Sequence, residues 1–145
     1  MKTAIIGSRK IDNVNLENYV PEETDEIISG GAVGVDTLAK EYAERHGPRL
    51  TEFLPEYERY GRAAPLVRNV EIIKAADIVL AFWDGKSAGT KHVIEECRKL
   101  GVKVRIFIRC EGDDAFCETE YLPVTCTKYH KKGSDLPSDK SEPKK

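Results

Sequence analysis

The chain has 145 residues, of which 40% are hydrophobic and 33% are charged, and its formal net charge is -2. This length and composition predict one globular domain with a hydrophobic core of its own. The near-neutral charge disfavours a protein that follows a nucleic-acid backbone, because such proteins usually carry a basic surface. No apolar run approaches the roughly 20 residues that a membrane-spanning helix needs. A signal peptide is not recognisable either, so we expect a cytoplasmic protein.

The first half of the chain predicts three strands and one helix. Residues 3–7 form the first apolar run, Ile27 and Ile28 form a short second one, and residues 50–54 form a third. Between the second and third runs, apolar residues recur at helical spacing until Gly47-Pro48. These residues are Val35, Leu38, Ala39, Tyr42 and Ala43. The pattern predicts an amphipathic helix that ends at the glycine.

The second half begins with a predicted helix and a predicted strand. The helix is expected to start at Pro65, because proline suits the first helical position. Its predicted inner face consists of Leu66, Val70 and Ile73. Residues 77–83 are almost continuously apolar, which is typical of a parallel strand covered on both faces.

One more helix and one more strand follow. The predicted helix has a buried stripe made of Val93, Ile94, Cys97 and Leu100, and Gly101 is expected to end it. Apolar and charged residues then alternate over residues 102–109. That alternation favours a half-exposed strand near the edge of a sheet.

Strands that alternate with helices in this way predict an α/β fold with a mainly parallel sheet of about five strands. Residues 1–130 are expected to form this single domain. A further edge strand is expected at residues 121–124. From residue 131 the sequence is polar and has no apolar periodicity, so residues 131–145 are predicted to be a disordered tail.

The four cysteines are not expected to bind metal. Cys97 lies on the predicted apolar face of a helix, which favours a buried thiol. No Cys-x-x-Cys pair occurs among the other three cysteines, Cys110, Cys117 and Cys126, so their spacing does not favour a zinc site. A disulfide framework is not expected in a reducing compartment.

The stretch from Ile27 to Asp36 carries the strongest functional signal. A short strand runs into Gly30-Gly31-Ala32-Val33-Gly34, and a helix starts at once. The N-terminus of a helix presents unpaired amides and a positive dipole, and glycines let an anion come close. The alternative is a tight connection between strand and helix that binds nothing, since such turns often need glycine.

Three loops are expected to meet around one crevice. They are Gly7-Ser8-Arg9, residues 30–34 and residues 84–90, and each follows a predicted strand. In open α/β sheets, ligands bind beyond the carboxyl ends of the strands, where the strand order reverses. If the first and fourth strands flank that point, all three loops face one ligand.

The candidate ligand-binding residues come from these loops and from the helix that starts at Pro65. They are Gly7, Ser8, Arg9, Gly30, Gly31, Ala32, Gly34, Asp36, Arg68, Asn69, Asp84, Gly85, Ser87, Gly89 and Thr90. The amides of residues 30–34 and of Gly89-Thr90 are predicted to hold phosphate. Arg9, Ser8 and Ser87 would add charge and hydrogen bonds, and Asp36 or Asp84 would bind sugar hydroxyls.

Ordinary structural roles are the alternatives for several of these residues. Asp36 in a first helical turn favours the helix dipole without any ligand. Thr90 at a helix start is a candidate cap. Two familiar phosphate motifs are absent, because the glycine turn is not GxGxxG and because Leu80 stands where the Walker loop requires glycine.

Four motifs occur together within residues 3–108. They are Ile5-Ile6-Gly7-Ser8-Arg9, the Ser29 to Asp36 turn, Arg68-Asn69 and Asp84-Gly85-Lys86-Ser87-Ala88-Gly89-Thr90. This combination resembles the SLOG superfamily, and within it the small YspA/YpsA-related proteins. The resemblance implies a Rossmann-like three-layer sandwich that binds a nucleotide or a nucleotide-derived ligand, with the two glycine loops as phosphate and ribose contacts. It also implies a homo-oligomer, since members often dimerise.

Two other activities are found among members of the SLOG superfamily. The LOG phosphoribohydrolases cleave N-glycosidic bonds and carry a Pro-Gly-Gly-x-Gly-Thr-x-x-Glu motif, of which this chain lacks the proline, the paired glycine and the glutamate. An enzyme of that type would need a carboxylate, and the candidates are Asp36, Asp84 and Glu95. The DprA proteins bind single-stranded DNA, which the charge of this chain does not favour. The first expectation is therefore a nucleotide-binding sensor or accessory protein.

Overall fold

The computed structural model describes residues 1–109 and 116–119. Within them, six strands form one sheet: β1 (Lys2–Gly7), β2 (Glu26–Ser29), β3 (Arg49–Glu52), β4 (Ile78–Trp83), β5 (Lys103–Arg109) and β6 (Phe116–Thr119). Their order is β3-β2-β1-β4-β5-β6. Neighbouring strands pair in parallel, except that β6 is antiparallel to β5. The predicted α/β fold with a mainly parallel sheet is confirmed, with six strands instead of about five.

Three long helices and one single-turn helix connect the strands: α1 (Val35–His46), α2 (Tyr57–Tyr60), α3 (Ala64–Ala75) and α4 (Ala88–Leu100). Pro65 lies in the first turn of α3, as predicted. Gly47 and Gly101 end α1 and α4 in the left-handed conformation that a residue with a Cβ atom adopts only at a cost. The local signals in the sequence therefore place the helix ends correctly.

Hydrophobic clusters cover both faces of the sheet. Ala4 and Ile6 of β1 pack in one cluster with Ile73 of α3 and Ile94 of α4. Ile5, which points to the opposite face, packs in a second cluster with Ala39 of α1. All six residues of β4 are buried. The strand predicted to be covered on both faces is therefore at the centre of the structure.

Two predicted core residues are exposed instead. Leu66 of α3 is 48% exposed and Leu100 of α4 is 42% exposed. Leu100 is the last residue of its helix, beyond the edge of the cluster that buries Cys97. Leu66 lies at the start of α3, where the helix borders an open cavity. Helical periodicity gives the direction of a side chain but not the limits of the neighbouring layer.

The cysteines differ from expectation at one position. Cys97 is a free, buried thiol, as predicted, and burial raises its pKa to about 12. Cys117 on β6 is disulfide-bonded, so the expectation of no disulfide is wrong. Sequence spacing does not show which thiols a fold brings together. The edge strand predicted at residues 121–124 and the tail predicted at 131–145 lie outside the described residues.

The described part of the chain has no helix that combines the length and the apolar character needed to cross a membrane.

Gly7 marks the point where β1, β4 and α1 come together, and it gives a test of the fold. A Cβ atom there would lie 2.6 Å from Val35 Cγ2 and 2.7 Å from the backbone oxygen of Phe82. We expect Gly7→Ala to lower the free energy of unfolding by about 1–3 kcal/mol, because the backbone oxygen cannot move aside cheaply. Urea unfolding measures the loss.

Gly89→Ala is the matched control, because a Cβ atom at Gly89 would meet nothing within 4 Å. Gly89 lies in the first turn of α4, where alanine is the better helix former, so its stability should be unchanged or slightly raised. Equal losses in the two variants would contradict the packing described for Gly7.

Candidate functional site

A cavity of about 440 Å³ lies at the carboxyl ends of the strands. It is bordered by the loops after β1, β2 and β3 and by the first turns of α3 and α4. The strand order reverses between β1, whose Ile6 and Gly7 line the cavity, and the neighbouring β4. The structure therefore brings together the three loops that the sequence predicts to meet.

Most of the predicted site residues line this cavity. The residues that do so are Gly7, Arg9, Gly30, Gly31, Ala32, Asp36, Arg68, Asn69, Ser87, Gly89 and Thr90. Ser8, Gly34, Asp84 and Gly85 do not line it. Among the candidate catalytic carboxylates, Asp36 lines the cavity, whereas Asp84 and Glu95 do not.

Ser8 and Asp84 shape the loop that leads into α4. The buried Ser8 Oγ accepts a hydrogen bond of 3.1 Å from the Asp84 N–H. Asp84 Oδ1 accepts from the N–H groups of Lys86 at 2.8 Å and Ser87 at 2.7 Å. Partial burial raises the pKa of Asp84, but these amides and the Ser8 hydroxyl outweigh it, so the pKa falls below its usual value. Asp84 is therefore an ionised carboxylate that holds its own loop.

Gly34 and Gly85 are needed for the backbone conformation of their loops. Their φ angles of 83° and 82° lie in the left-handed region. A Cβ atom at Gly34 would also lie 2.7 Å from the carbonyl oxygen of Arg9. The first and second loops therefore touch through their backbones, which fixes the floor of the cavity.

Sequence reasoning missed an apolar wall of the cavity. This wall is formed by Leu54, Pro55, Tyr57, Pro65 and Leu66. Leu54 and Tyr57 are 59% and 60% exposed, which is unusual for large apolar side chains next to a core. The sequence feature that could have revealed this wall is the position of Leu54, two residues after β3 and at the same edge of the sheet as the other loops.

The amides of the glycine turn are already partly used inside the protein. The Gly31 N–H donates to Ser29 Oγ at 3.2 Å, and the Ala32 N–H donates to Asp36 Oδ2 at 3.0 Å. Gly31 has a φ of 72°, and a Cβ atom there would lie 2.5 Å from Leu54 Cδ2. Two of the donors that the sequence predicts for phosphate are therefore committed, and a carboxylate lies in the place expected for the anion.

Asp36 is a buried carboxylate with spare hydrogen-bonding capacity. The residue is only 7% exposed, and its Oδ1 atom has no hydrogen-bond partner within the described residues. Burial raises its pKa to about 6, although the Ala32 N–H, the Arg68 charge and the Gly30 N–H act in the opposite direction. Such a group destabilises the fold when it is ionised, so its presence here calls for a reason other than stability.

Arg68 and Asn69 join the cavity wall to two neighbouring helices. Arg68 Nη1 donates to the carbonyl oxygen of Gly30 at 2.8 Å and to that of Phe53 at 3.4 Å. Arg68 Nε donates to Asn69 Oδ1 at 3.1 Å, which turns the Asn69 amide nitrogen toward His92 Nδ1 at 3.2 Å. The protein thus uses Nη1 and Nε of this guanidinium, which fix the loops after β2 and β3 against α3, and Asn69 extends the connection to α4.

The other end of the cavity presents hydrogen-bond donors. No side chain caps the N-terminus of α4 at Ser87, and its first turn contains no acidic residue. The first amides of a helix have no partner within the helix. Arg9 is exposed and lines the cavity, and within the described residues its guanidinium makes no hydrogen bond or ion pair. This end therefore suits an anion.

Asp36→Asn tests whether the buried carboxylate costs stability. The folded-state pKa of about 6 exceeds the ordinary 3.8, so the contribution of Asp36 to stability is present below pH 4 and lost as the pH rises through 6. The neutral asparagine should therefore be more stable than the wild type by up to about 3 kcal/mol at pH 7, with no difference near pH 3.5. Chemical unfolding across this range measures the difference.

Glu44→Gln is the control for this experiment, because Glu44 is exposed on the same helix. Its effect on stability should stay small at every pH. A wild type that is more stable than Asp36→Asn at pH 7 would show that the carboxylate has a stabilising partner, and the description of Asp36 given above would then be wrong.

The chain is 37% identical over 84 residues to the Gene 61 protein of Mycobacterium phage D29. The match covers 54% of this chain and 67% of the phage protein. The chain belongs to the family of this phage protein. No protein-family model matches the chain, and no solved structure matches it significantly.

Proposed function

We propose that this member of the Gene 61 protein family binds a nucleotide or a nucleotide-derived small molecule in the cavity, as a sensor or accessory protein. The observation that carries the proposal is the order of chemical groups along the carboxyl edge of the sheet. Apolar side chains, a carboxylate, an arginine and a helix N-terminus follow one another in strand order. A nucleotide presents a base, a sugar and a phosphate in the same sequence.

The order can be followed strand by strand. Leu54 follows β3, and Asp36 lies next to the turn after β2, where a Cβ atom at Gly30 would be 3.1 Å from Asp36 Oδ2. Arg9 follows β1, and the N-terminus of α4 follows β4. Since neighbouring strands lie about 4.8 Å apart, the four positions span about 14 Å.

Each part of the cavity suits one part of such a ligand. The exposed Tyr57, with Leu54 and Leu66, offers an apolar surface on which a base can pack. Arg9 and the first amides of α4 can neutralise a phosphate. The volume of about 440 Å³ lies within the range of small-molecule sites.

The fold supports the same proposal. The strand order, with its reversal between β1 and β4, and the clusters on both faces of the sheet support our further proposal of a Rossmann-like three-layer sandwich. We therefore also propose that the chain is a member of the SLOG superfamily. The predicted homo-oligomer stays a prediction, and native mass spectrometry would reveal it together with any nucleotide retained through purification.

Calorimetric titration with AMP, GMP, CMP and UMP tests the proposal. At least one of the four should bind, and more tightly than its nucleoside. Arg9→Ala should weaken binding of the monophosphate on the order of 10-fold and leave the nucleoside affinity unchanged, because the lost bonds go to the phosphate.

Arg45→Ala is the matched control, since Arg45 is exposed in the last turn of α1, at the end opposite to Gly34. It removes the same charge and should not change binding of either form. The proposal fails if no monophosphate binds, or if Arg45→Ala weakens binding as much as Arg9→Ala does.

A second candidate function rests on Asp36 alone. A carboxylate whose pKa is raised to about 6 inside a ligand-sized cavity suits acid–base chemistry or the stabilisation of positive charge on a sugar. Hydrolysis of the N-glycosidic bond of a nucleoside monophosphate would use such a group. Asp84 is held by its own loop and Glu95 does not line the cavity, so this activity would depend on Asp36.

Chromatography of the four monophosphates after incubation with the protein distinguishes the two functions. A sensor leaves them intact, which is the result we expect. Release of free base by the wild type but not by Asp36→Asn would establish the enzyme in place of the sensor. Release that persists in Asp36→Asn would point to a contaminating hydrolase.

A further inference from the structure

Two carboxylates follow strands at the cavity edge of the sheet, and the protein uses them differently. Asp84 accepts hydrogen bonds from two amides of its own loop and does not line the cavity. Asp36 lines the cavity. Of these two residues, only Asp36 is therefore placed beside a molecule bound in the cavity.

The carboxylate of Asp36 needs hydrogen-bond donors that the protein does not supply. An ionised carboxylate has two oxygens and about four acceptor positions. Oδ2 accepts one bond of 3.0 Å from the Ala32 N–H, the Gly30 N–H also lowers the pKa of the carboxyl, and Oδ1 has no partner within the described chain. The side chain is more than nine-tenths buried, so water satisfies it poorly. A ligand that brings O–H or N–H groups would satisfy this carboxylate, whereas a phosphate would be repelled by it.

The position of Asp36 indicates which part of the ligand it meets. Gly30 lies next to Asp36, because a Cβ atom at Gly30 would be only 3.1 Å from Asp36 Oδ2. On one side, Leu54 approaches Gly31 and begins the apolar wall. On the other side are Arg9 and the start of α4. In strand order, Asp36 therefore lies between the apolar wall and the groups that suit an anion.

We infer that Asp36 is a specificity-determining residue that accepts a hydrogen bond from the 2′- or 3′-hydroxyl of a ribose, so that the protein selects ligands that carry this hydroxyl over analogues that lack it. This inference rests on the proposed nucleotide-binding function. It adds that the glycine turn recognises sugar hydroxyls while phosphate binds at α4. Neutral sugar hydroxyls match the unsatisfied acceptor, and their removal would leave it unpaired in the complex.

The experiment compares ligands that differ by one hydroxyl. The monophosphate that binds best among AMP, GMP, CMP and UMP is titrated beside its 2′-deoxy and 3′-deoxy analogues at pH 7.5, where Asp36 is ionised. We expect at least one deoxy analogue to bind on the order of 10- to 100-fold more weakly, the range of a hydrogen bond to a charged group.

Variants at Asp36 then assign the selectivity to this residue. Asp36→Ala removes both acceptors and should abolish the preference by weakening the ribonucleotide while leaving the deoxy analogue unchanged. Asp36→Asn keeps the shape of the side chain and should reduce the preference. This second variant keeps the test decisive if the alanine variant folds poorly. Glu44→Gln should keep the full preference.

The outcomes separate this inference from the function on which it rests. If none of the four monophosphates binds, the proposed function itself fails. If a monophosphate binds but both deoxy analogues bind equally well, the function stands and the role of Asp36 is overturned. A preference that survives unchanged in Asp36→Ala and Asp36→Asn would also overturn it, because another group would then recognise the sugar.

Discussion

The reversal of strand order between β1 and β4 is the constraint on which the rest of the structure depends. From this pair the chain builds outward to β2 and β3 on one side and to β5 and β6 on the other. Right-handed crossovers that run in opposite directions place their helices on opposite faces of the sheet. The α1 helix accordingly covers one face, and α3 and α4 cover the other. The loops after β1, β2 and β3 and the first turns of α3 and α4 border the cavity at this edge of the sheet.

Glycine makes this junction possible, because backbone and side chains approach too closely there for a Cβ atom. Gly7 leaves room for Val35 and for the carbonyl oxygen of Phe82, and Gly34 leaves room for the carbonyl oxygen of Arg9. These two glycines act in packing. Gly30 differs, because the missing Cβ atom leaves space beside Arg68 and Asp36 at the cavity itself. The same residue type therefore serves both the framework and the site.

The electrostatics of the cavity divide it into two ends. The Arg68 guanidinium donates hydrogen bonds to the carbonyl oxygens of Gly30 and Phe53 and to Asn69, and these bonds hold the cavity wall in place. Its positive charge also stabilises the ionised carboxylate of Asp36. The Arg9 guanidinium makes no hydrogen bond or ion pair within the described residues, and Arg9 lines the same cavity as the uncapped start of α4. The buried acceptor and the free donors therefore lie at different positions along the carboxyl edge of the sheet.

Sequence patterns were sufficient to predict the α/β class, the starts and ends of the long helices, and the group of loops that meet at the cavity. These features follow from local causes: apolar periodicity, Pro65 at a helix start, Gly47 and Gly101 at helix ends, and the rule that parallel strands end at a common edge. Which polar groups are free depends instead on the folded arrangement of the whole chain. The amides of Gly31 and Ala32 have acceptors within the turn, Asp84 is consumed by its loop, and Asp36 keeps an unpaired oxygen. Hydrogen bonding and burial depend on distances between atoms that no spacing in the sequence specifies. For the same reason, the sequence did not predict the apolar wall around Leu54 and Tyr57 or the disulfide of Cys117.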